Sequence, residues 1–414
     1  MTVHAKMETV DLTFQGLAYP GQTFGRDDSG RMIFAPFGLP GEKARVEIVD
    51  SHKRWAQARI IEILDPSPDR IIPRCQHFTD CGGCHYQHMP YELQLSAKAD
   101  ILRSQLERLG GIFDPPVRET IASDPHWNTR NHVQFSLDEN GCVGFKRAAS
   151  DNIIPIKECY LPDPDLSDLW PRLDLTAIPG LDRVALRSDS RGDSMVILHS
   201  DAEPEVEMKL DLPTSVIWLS ERGLTVLAGE DHLLMEILEH PFRVSAGSFF
   251  QVHTSMATNL VQHALESMGI QEGETIFDLY AGVGLFSAFI AGAGGRLIAV
   301  EQSPWAASDF EVNLDEFKNV ELYEASVEIA LPAIQEQPDG ILVDPPRAGL
   351  GRDVLKRITE IRPLRLVYVS CDPATLARDA RHLSEAGYNL EDITPFDLFP
   401  QTYHIESISL WREL

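Results

Sequence analysis

Cys371 stands in Val369-Ser370-Cys371-Asp372-Pro373, directly after the apolar run Arg365-Leu366-Val367-Tyr368-Val369, which reads as a buried strand. A cysteine that ends such a strand faces a pocket rather than a core. Further on, Glu406 lies in His404-Ile405-Glu406-Ser407, where it opens another strand and can face the thiol. Upstream lie a glycine-rich strand–turn and the turn Asp344-Pro345-Pro346-Arg347. A nucleophile, a base and a nucleotide-type fold together suggest covalent catalysis on a ring that is itself a poor nucleophile.

Uracil is such a ring. Its C5 cannot take a methyl group directly, but a thiolate added at C6 makes C5 enolate-like. A base must then remove the C5 proton so that the thiolate can leave. A thiol ionises near pH 8.5 when unperturbed, so the site must assist Cys371. Glu406 is the natural base, raised in pKa by burial.

The methyl donor is read from Asp278-Leu279-Tyr280-Ala281-Gly282-Val283-Gly284-Leu285-Phe286-Ser287, which follows a strand and opens a helix. Glycines there let a ligand approach the backbone. Glu301 ends the next strand, where a carboxylate can take both ribose hydroxyls. A dinucleotide site wants G-x-G-x-x-G for its pyrophosphate, and here Ser287 stands at the third glycine position. The shorter turn favours S-adenosylmethionine. In the Asp-Pro-Pro turn, enzymes that methylate amino groups carry an aromatic residue where this chain has Arg347, which weakens that alternative. Ser248-Phe249-Phe250-Gln251-Val252-His253 precedes this region. An aromatic there can stack on a flipped base, and an amide can hold the cofactor's amino-acid end.

A second cluster is Cys75-x5-Cys81-x2-Cys84, with Cys159 downstream. In a reducing compartment clustered cysteines point to a metal or a cluster rather than to disulfides. Gly82-Gly83 lets the loop fold tightly, and four thiolates suit either zinc or an Fe–S cluster. Cys142 reads as plain packing.

These residues need elements to carry them. Residues 8–64 alternate in short runs, Met32–Ala35, Ala44–Val49 and Ala56–Ile63, separated by Asp28-Ser29-Gly30 and Leu39-Pro40-Gly41-Glu42. Three to five such strands make a small barrel, and Asp65-Pro66-Ser67-Pro68 reads as a linker. Leu95, Leu102, Leu106 and Leu109 form the apolar stripe of a helix over 91–109, stopped by Gly110-Gly111. Residues 128–230 are strand-like, as in Val133–Leu137, Val184–Arg187 and Met195–His199. From residue 255 helices and strands alternate, with a helix over 258–268 and strands at 275–280, 296–300, 340–343 and 365–369, which predicts a doubly wound α/β domain.

The chain of 414 residues carries a net charge of −27, which argues against a simple nucleic-acid-binding module. The acidity is uneven: −1 over residues 1–65, −4 over 66–165, and −22 beyond. A bound polyanion would meet the N-terminal third, where Lys53, Arg54, Trp55 and Arg59 are candidate contacts, or a local basic face. No apolar run reaches the roughly 18 residues of a membrane span, and Met1–Val10 has no signal-peptide core. The protein is expected in the cytoplasm, off the membrane, as a monomer.

In order, these motifs resemble the RNA 5-methyluridine methyltransferases of the Fe–S, TRAM-containing type, over nearly the whole chain. The resemblance rests on the barrel, the four cysteines, Phe-Phe-Gln, Asp-Leu-Tyr-x-Gly-x-Gly, Asp-Pro-Pro-Arg, Ser-Cys-Asp-Pro and His-x-Glu-Ser. It implies an α/β Rossmann-like class I methyltransferase domain, an N-terminal small TRAM or OB-like β-barrel that binds RNA (1–66), and a central α+β Fe–S domain (67–90 and 120–245). The methyltransferase domain would be residues 91–119 with 246–414, the 91–109 helix packing on it. Cys371 resembles the nucleophile and Glu406 the general base. Gln251, Tyr280, Glu301, Ser326 and Asp344 resemble the S-adenosylmethionine positions, and Phe249 the aromatic near the target base. Cys75, Cys81, Cys84 and Cys159 would hold a [4Fe–4S] cluster. The chain departs from the family at Leu285 and Ser326, where Asn, or Asn and Asp, are common. Bacterial members with this layout mostly act on 23S rRNA and archaeal relatives on tRNA, so structured RNA, with 23S rRNA favoured, is the expected partner. RNA choice lies in shape contacts rather than in a motif.

Overall fold

The computed structural model describes residues 8–413 except 139–140, 174, 176–177, 179 and 202–213. Its first unit is a closed five-stranded barrel of β1 (Thr9–Ala18), β2 (Gln22–Arg26), β3 (Met32–Pro36), β4 (Lys43–Ser51) and β5 (Trp55–Asp65), in the order β1-β2-β3-β5-β4. Side chains alternate faces along a strand. Leu12, Phe14, Ile33, Val46 and Ile48 therefore point inward, with Ala35, Ala44, Ala56 and Ala58 filling the remaining narrow space. Lys53 and Arg54 are exposed, Trp55 stacks on His52, and Arg59 pairs with Glu47.

Helix α1 (Tyr91–Gln105) ends in a π-helical turn, Leu106–Gly110, closed by Gly111 at φ 70°. Leu102 and Leu106 are fully buried against the last domain, but Leu109 is 45% exposed. The expected stripe fails at Leu109 because the wider turn (i→i+5 rather than i→i+4) shifts the helix phase. Lys98 on α1 forms a buried ion pair with Asp397 at 2.5 Å.

The middle sheet contains β6 (His132–Leu137), β7 (Val143–Lys146), β8 (Ile153–Pro155), β9 (Arg183–Ser188), β10 (Ser194–His199), β11 (Thr214–Ser220) and β12 (Gly223–Ala228), in the order β12-β11-β10-β9-β6-β7-β8. Helix α2 (Pro164–Leu169) packs on it, burying Leu166, Leu169 and the neighbouring Trp170 beside Phe135. A hairpin of β13 (His232–Ile237) and β14 (His240–Ser245) follows.

The last sheet holds β15 (Thr275–Leu279), β16 (Arg296–Glu301), β17 (Val320–Glu324), β18 (Gly340–Val343), β19 (Arg365–Ser370), β20 (Tyr388–Phe396) and β21 (Glu406–Glu413), in the order β17-β16-β15-β18-β19-β21-β20. The strands from β17 to β19 are parallel, and the inner ones, β15, β16, β18 and β19, are buried along nearly their whole length because both faces are covered, whereas the edge strand β17 is only partly buried. Helices α3 (Thr254–Met268), α4 (Leu285–Gly292) and α5 (Pro304–Asn313) belong to the core on one face. On the other are α1, α6 (Val327–Ala333), α7 (Arg352–Ile361) and α8 (Pro373–Glu385). The chain runs outward from β15 to β17, then returns to β18 on the opposite side. The crevice at the carboxyl ends of β15 and β18 is thus a topological switch point, where open α/β sheets bind ligands. The final strand β21 inserts antiparallel between β19 and β20. Among the described residues no helix is long and apolar enough to cross a membrane.

Candidate active site

A cavity of about 1080 Å³ opens at that switch point. Its floor is the turn after β15. Tyr280 leaves the strand at φ 67°, a conformation uncommon outside glycine and one that collects at functional sites. Its amide and that of Ala281 both donate to the Val300 carbonyl at 3.0 Å, which bends the chain back over the sheet. Gly284, at φ 92°, starts α4; a Cβ there would collide with Leu314. A Cβ on Gly282 would meet nothing within 4 Å, so this backbone faces open cavity. The glycines thus serve two purposes, helix packing and ligand approach.

Glu301, at the end of β16, accepts from the Gly282 amide at 2.7 Å and the Ser303 amide at 2.6 Å and lines the cavity. Asp278 lies fully buried beneath, accepting from the Ser287 hydroxyl at 2.6 Å. Burial, reinforced by the nearby Glu301 charge, pushes Asp278 up to about 7. Asp344, just after β18, is pushed up to about 7 by burial and by Asp278. Tyr280, Gln251 and Asp344 line the same cavity, and Gln251 is 7% exposed. Ser326 stands at the N-cap position of α6, without a side-chain capping bond and outside the cavity, which its neighbours Val327 and Glu328 line instead.

The strand register brings Cys371 and Glu406 together. Ser370 on β19 pairs with Ser407 on β21, so one further step sets Cys371 across from Glu406. Both residues line the cavity. Burial pushes the Cys371 thiol up to about 12, with Glu406 and then Asp344 adding to it and Arg347 opposing. Burial and Asp344 likewise raise Glu406 well above the usual carboxylate range, again against Arg347. Arg347 is thus the cation that favours the ionised form of both groups.

The Phe-Phe pair divides its work. Phe250 is 6% exposed and joins the core, while Phe249 is 71% exposed at the cavity edge. Phe399 and His404 form another wall. Sequence reasoning missed Phe399, which lies in an irregular segment without motif or period.

The cysteines lie apart from this cavity. The His77 amide donates to Cys75 Sγ and the Gly83 amide to Cys81 Sγ, each at 3.4 Å. Cys159 is within electrostatic reach of Cys75 and Cys81, and Cys84 of Cys81 and Cys159. Arg130 faces Cys81, Cys84 and Cys159, and its buried Nε has no partner. Among the described residues no three His, Cys, Asp or Glu side chains converge tightly enough to hold a metal ion. A single zinc would draw its thiolates to about 3.8 Å from one another, and that arrangement is not built here. A buried guanidinium Nε without a partner, facing three of these thiols, suits an anionic group wider than a single ion. Cys142 is exposed and stands outside the group.

Comparison with known proteins agrees with this architecture. Residues 230–413 match the model of the tRNA (uracil-5-)-methyltransferase family, and residues 6–61 that of the TRAM domain. An RNA methyltransferase of Halalkalibacterium halodurans is 33% identical, covering 98% of this chain and 97% of its own. One of Streptomyces coelicolor is 33% identical over 95% and 90%. The crystal structure of Pyrococcus abyssi tRNA (uracil-54, C5)-methyltransferase, solved with S-adenosyl-L-homocysteine, superposes with a TM-score of 0.74 at 24% identity, over 97% of this chain and all of that one. A class I methyltransferase fold behind a TRAM barrel, matched along its length by RNA methyltransferases, makes this chain a member of the S-adenosylmethionine-dependent RNA (uracil-5-)-methyltransferase family.

Proposed function

We propose that this protein methylates C5 of a uridine in structured RNA, with 23S rRNA the favoured substrate, through a covalent adduct between Cys371 and C6. The observation that carries this reading is the β19–β21 register, which sets a thiol and a buried carboxylate opposite each other on the wall of the cofactor cavity. In this reading Gln251, Tyr280, Glu301 and Asp344 hold S-adenosylmethionine; Ser326 contributes through the start of α6. The open face of Gly282 supports a ligand lying on that backbone. When bound, the cofactor would supply an electrophilic methyl group.

The Cys371 thiolate adds to C6 and pushes electron density onto C5, which takes the methyl group. Glu406 then accepts the C5 proton. The electron pair of that C–H bond re-forms the C5–C6 double bond, and the thiolate leaves. Arg347 holds the two acids toward their ionised forms. Phe249, exposed at the cavity edge, offers a face for the flipped base. We further read Cys75, Cys81, Cys84 and Cys159 as the ligands of a [4Fe–4S] cluster, with Arg130 as its buried counter-charge. The unpartnered Arg130 Nε and the two N–H···S hydrogen bonds support this.

Two experiments test the proposal. Mass spectrometry of rRNA and tRNA digests from cells lacking the gene should show one 5-methyluridine missing from 23S rRNA; loss from the tRNA T-loop instead would reassign the substrate. Wild-type protein should form a denaturant-resistant adduct with 5-fluorouridine RNA, because fluorine cannot leave as a proton does. Cys371→Ala should form none, and Glu406→Gln should accumulate a methylated adduct on ordinary RNA. Methylation by Cys371→Ala would refute the covalent mechanism.

A further inference from the structure

The turn between β1 and β2 of the barrel reaches across the sequence into the catalytic loop. The Tyr19 hydroxyl donates to Asp372 Oδ2 at 2.6 Å. Asp372 follows the nucleophile, and its other oxygen accepts from the Ala374 and Thr375 amides at 3.0 and 2.9 Å, capping α8. One carboxylate therefore ties three things together: the start of α8, the residue beside Cys371, and the barrel. The same turn presses on the segment that leads to the base. Gly21, at φ 66°, sits where a Cβ would come within 2.7 Å of the Tyr403 ring, and the Tyr19 and Tyr403 rings meet edge to face at 5.8 Å. Tyr403 precedes His404 of the cavity wall, and Glu406 follows shortly after.

We propose that Tyr19 is a positioning residue for the reaction: the barrel braces the loops that carry Cys371 and Glu406 through the Tyr19–Asp372 hydrogen bond and the Gly21–Tyr403 contact. An RNA held by the barrel is then held by an element bonded to the nucleophile's own loop. The bond also has an electrostatic side. The charged groups facing the thiol are Glu406, Asp344, Arg347 and Asp372, of which only Arg347 favours the thiolate. A hydroxyl donor on Asp372 draws part of that carboxylate's charge away from Cys371. This inference rests on Cys371 being the nucleophile.

The test uses full-length Tyr19→Phe, which removes one hydroxyl and keeps the ring against Tyr403. The probe is total RNA from gene-deleted cells grown with 5-fluorouracil, mixed with excess protein and S-adenosylmethionine. The adduct-forming rate should fall about tenfold, the lower end for losing a hydrogen bond to a charged group in a part-buried setting. Half-saturating RNA and S-adenosylhomocysteine affinity should stay near wild type. Asp372→Asn removes the carboxylate on which the hydroxyl acts, together with a charge that opposes the thiolate, so it serves as the second background: Tyr19→Phe should slow the adduct rate clearly less in Asp372→Asn than in wild type, because the two changes share one interaction. A second readout needs no RNA. Alkylation of Cys371 by iodoacetamide, followed by peptide mass spectrometry with Cys142 as internal reference, should also slow in Tyr19→Phe. A wild-type adduct rate with unchanged alkylation would overturn the inference, as would a change confined to RNA half-saturation, or multiplicative effects in the double variant. If wild type itself forms no adduct, the covalent reading fails, and the alkylation result still decides whether Tyr19 acts on Cys371.

Discussion

Glu301→Ala tests the cofactor site at its most connected residue. The Glu301 carboxylate already accepts from the Gly282 and Ser303 amides, joining the glycine turn to the start of α5. A carboxylate has about four lone-pair sites, so two remain for a ribose diol. A hydrogen bond to a charged group contributes about 1.5–3 kcal/mol, and the half-buried position argues for the lower figure. Losing two such bonds then removes about 3 kcal/mol, which at about 1.4 kcal/mol per decade weakens binding roughly 100-fold. The two released amides border the cavity and can turn to water, so the stability cost should be only about 1 kcal/mol. Glu301→Gln keeps one acceptor oxygen and loses the charge, so its affinity should fall between the two, roughly tenfold below wild type. Calorimetry with S-adenosylhomocysteine gives the affinities, and guanidinium unfolding of the same samples gives the stabilities. An alanine variant that binds within about threefold of wild type, a difference under 1 kcal/mol, would refute the assignment. So would equal losses in both variants accompanied by collapse of the unfolding midpoint, which would make Glu301 a scaffold residue.

Arg347→Gln removes the cation that opposes the raised pKa values of Cys371 and Glu406. Both groups act after losing a proton, so activity should rise with pH in the wild type. In the variant the profile should shift to higher pH, with the deficit largest near neutrality; an unshifted profile in single-turnover assays would contradict this. Lys98→Met leaves Asp397 buried without its ion partner. Such an uncompensated charge costs about 3–5 kcal/mol, to be read from the urea midpoint, and a neutral result would show that Asp397 is protonated or satisfied elsewhere. Cys75→Ser should lose iron and much soluble protein from anaerobic preparations, whereas Cys142→Ser, exposed and outside the thiol group, should keep both; stoichiometric zinc in place of iron would overturn the cluster reading.

Local chemistry was legible along the chain wherever one residue type had one physical reason to be there. The alternation of Ile33 and Ala35, and of Ala44, Val46 and Ile48, already says strand with one buried face, because alternate residues of an extended chain point the same way. The glycine turn after β15 and the chemistry of Cys371 and Glu406 are equally local, since glycine, thiol and carboxylate keep their properties in any fold. What pairs Cys371 with Glu406 is different in kind. It depends on β21 inserting antiparallel between β19 and β20, and a shift of one residue in that register would turn the carboxylate to the other face. Leu109 shows the same limit on a smaller scale: its spacing matches the buried stripe, but a π-helical turn carries it to solvent. Ser326 has the expected place in the chain, yet α6 turns its neighbours into the cavity instead. Arg130 among the cysteines and Tyr19 on Asp372 have no sequence signature at all. Each owes its role to a contact between segments far apart in the chain, and such contacts are selected by the summed burial of whole elements rather than by any residue's own preference.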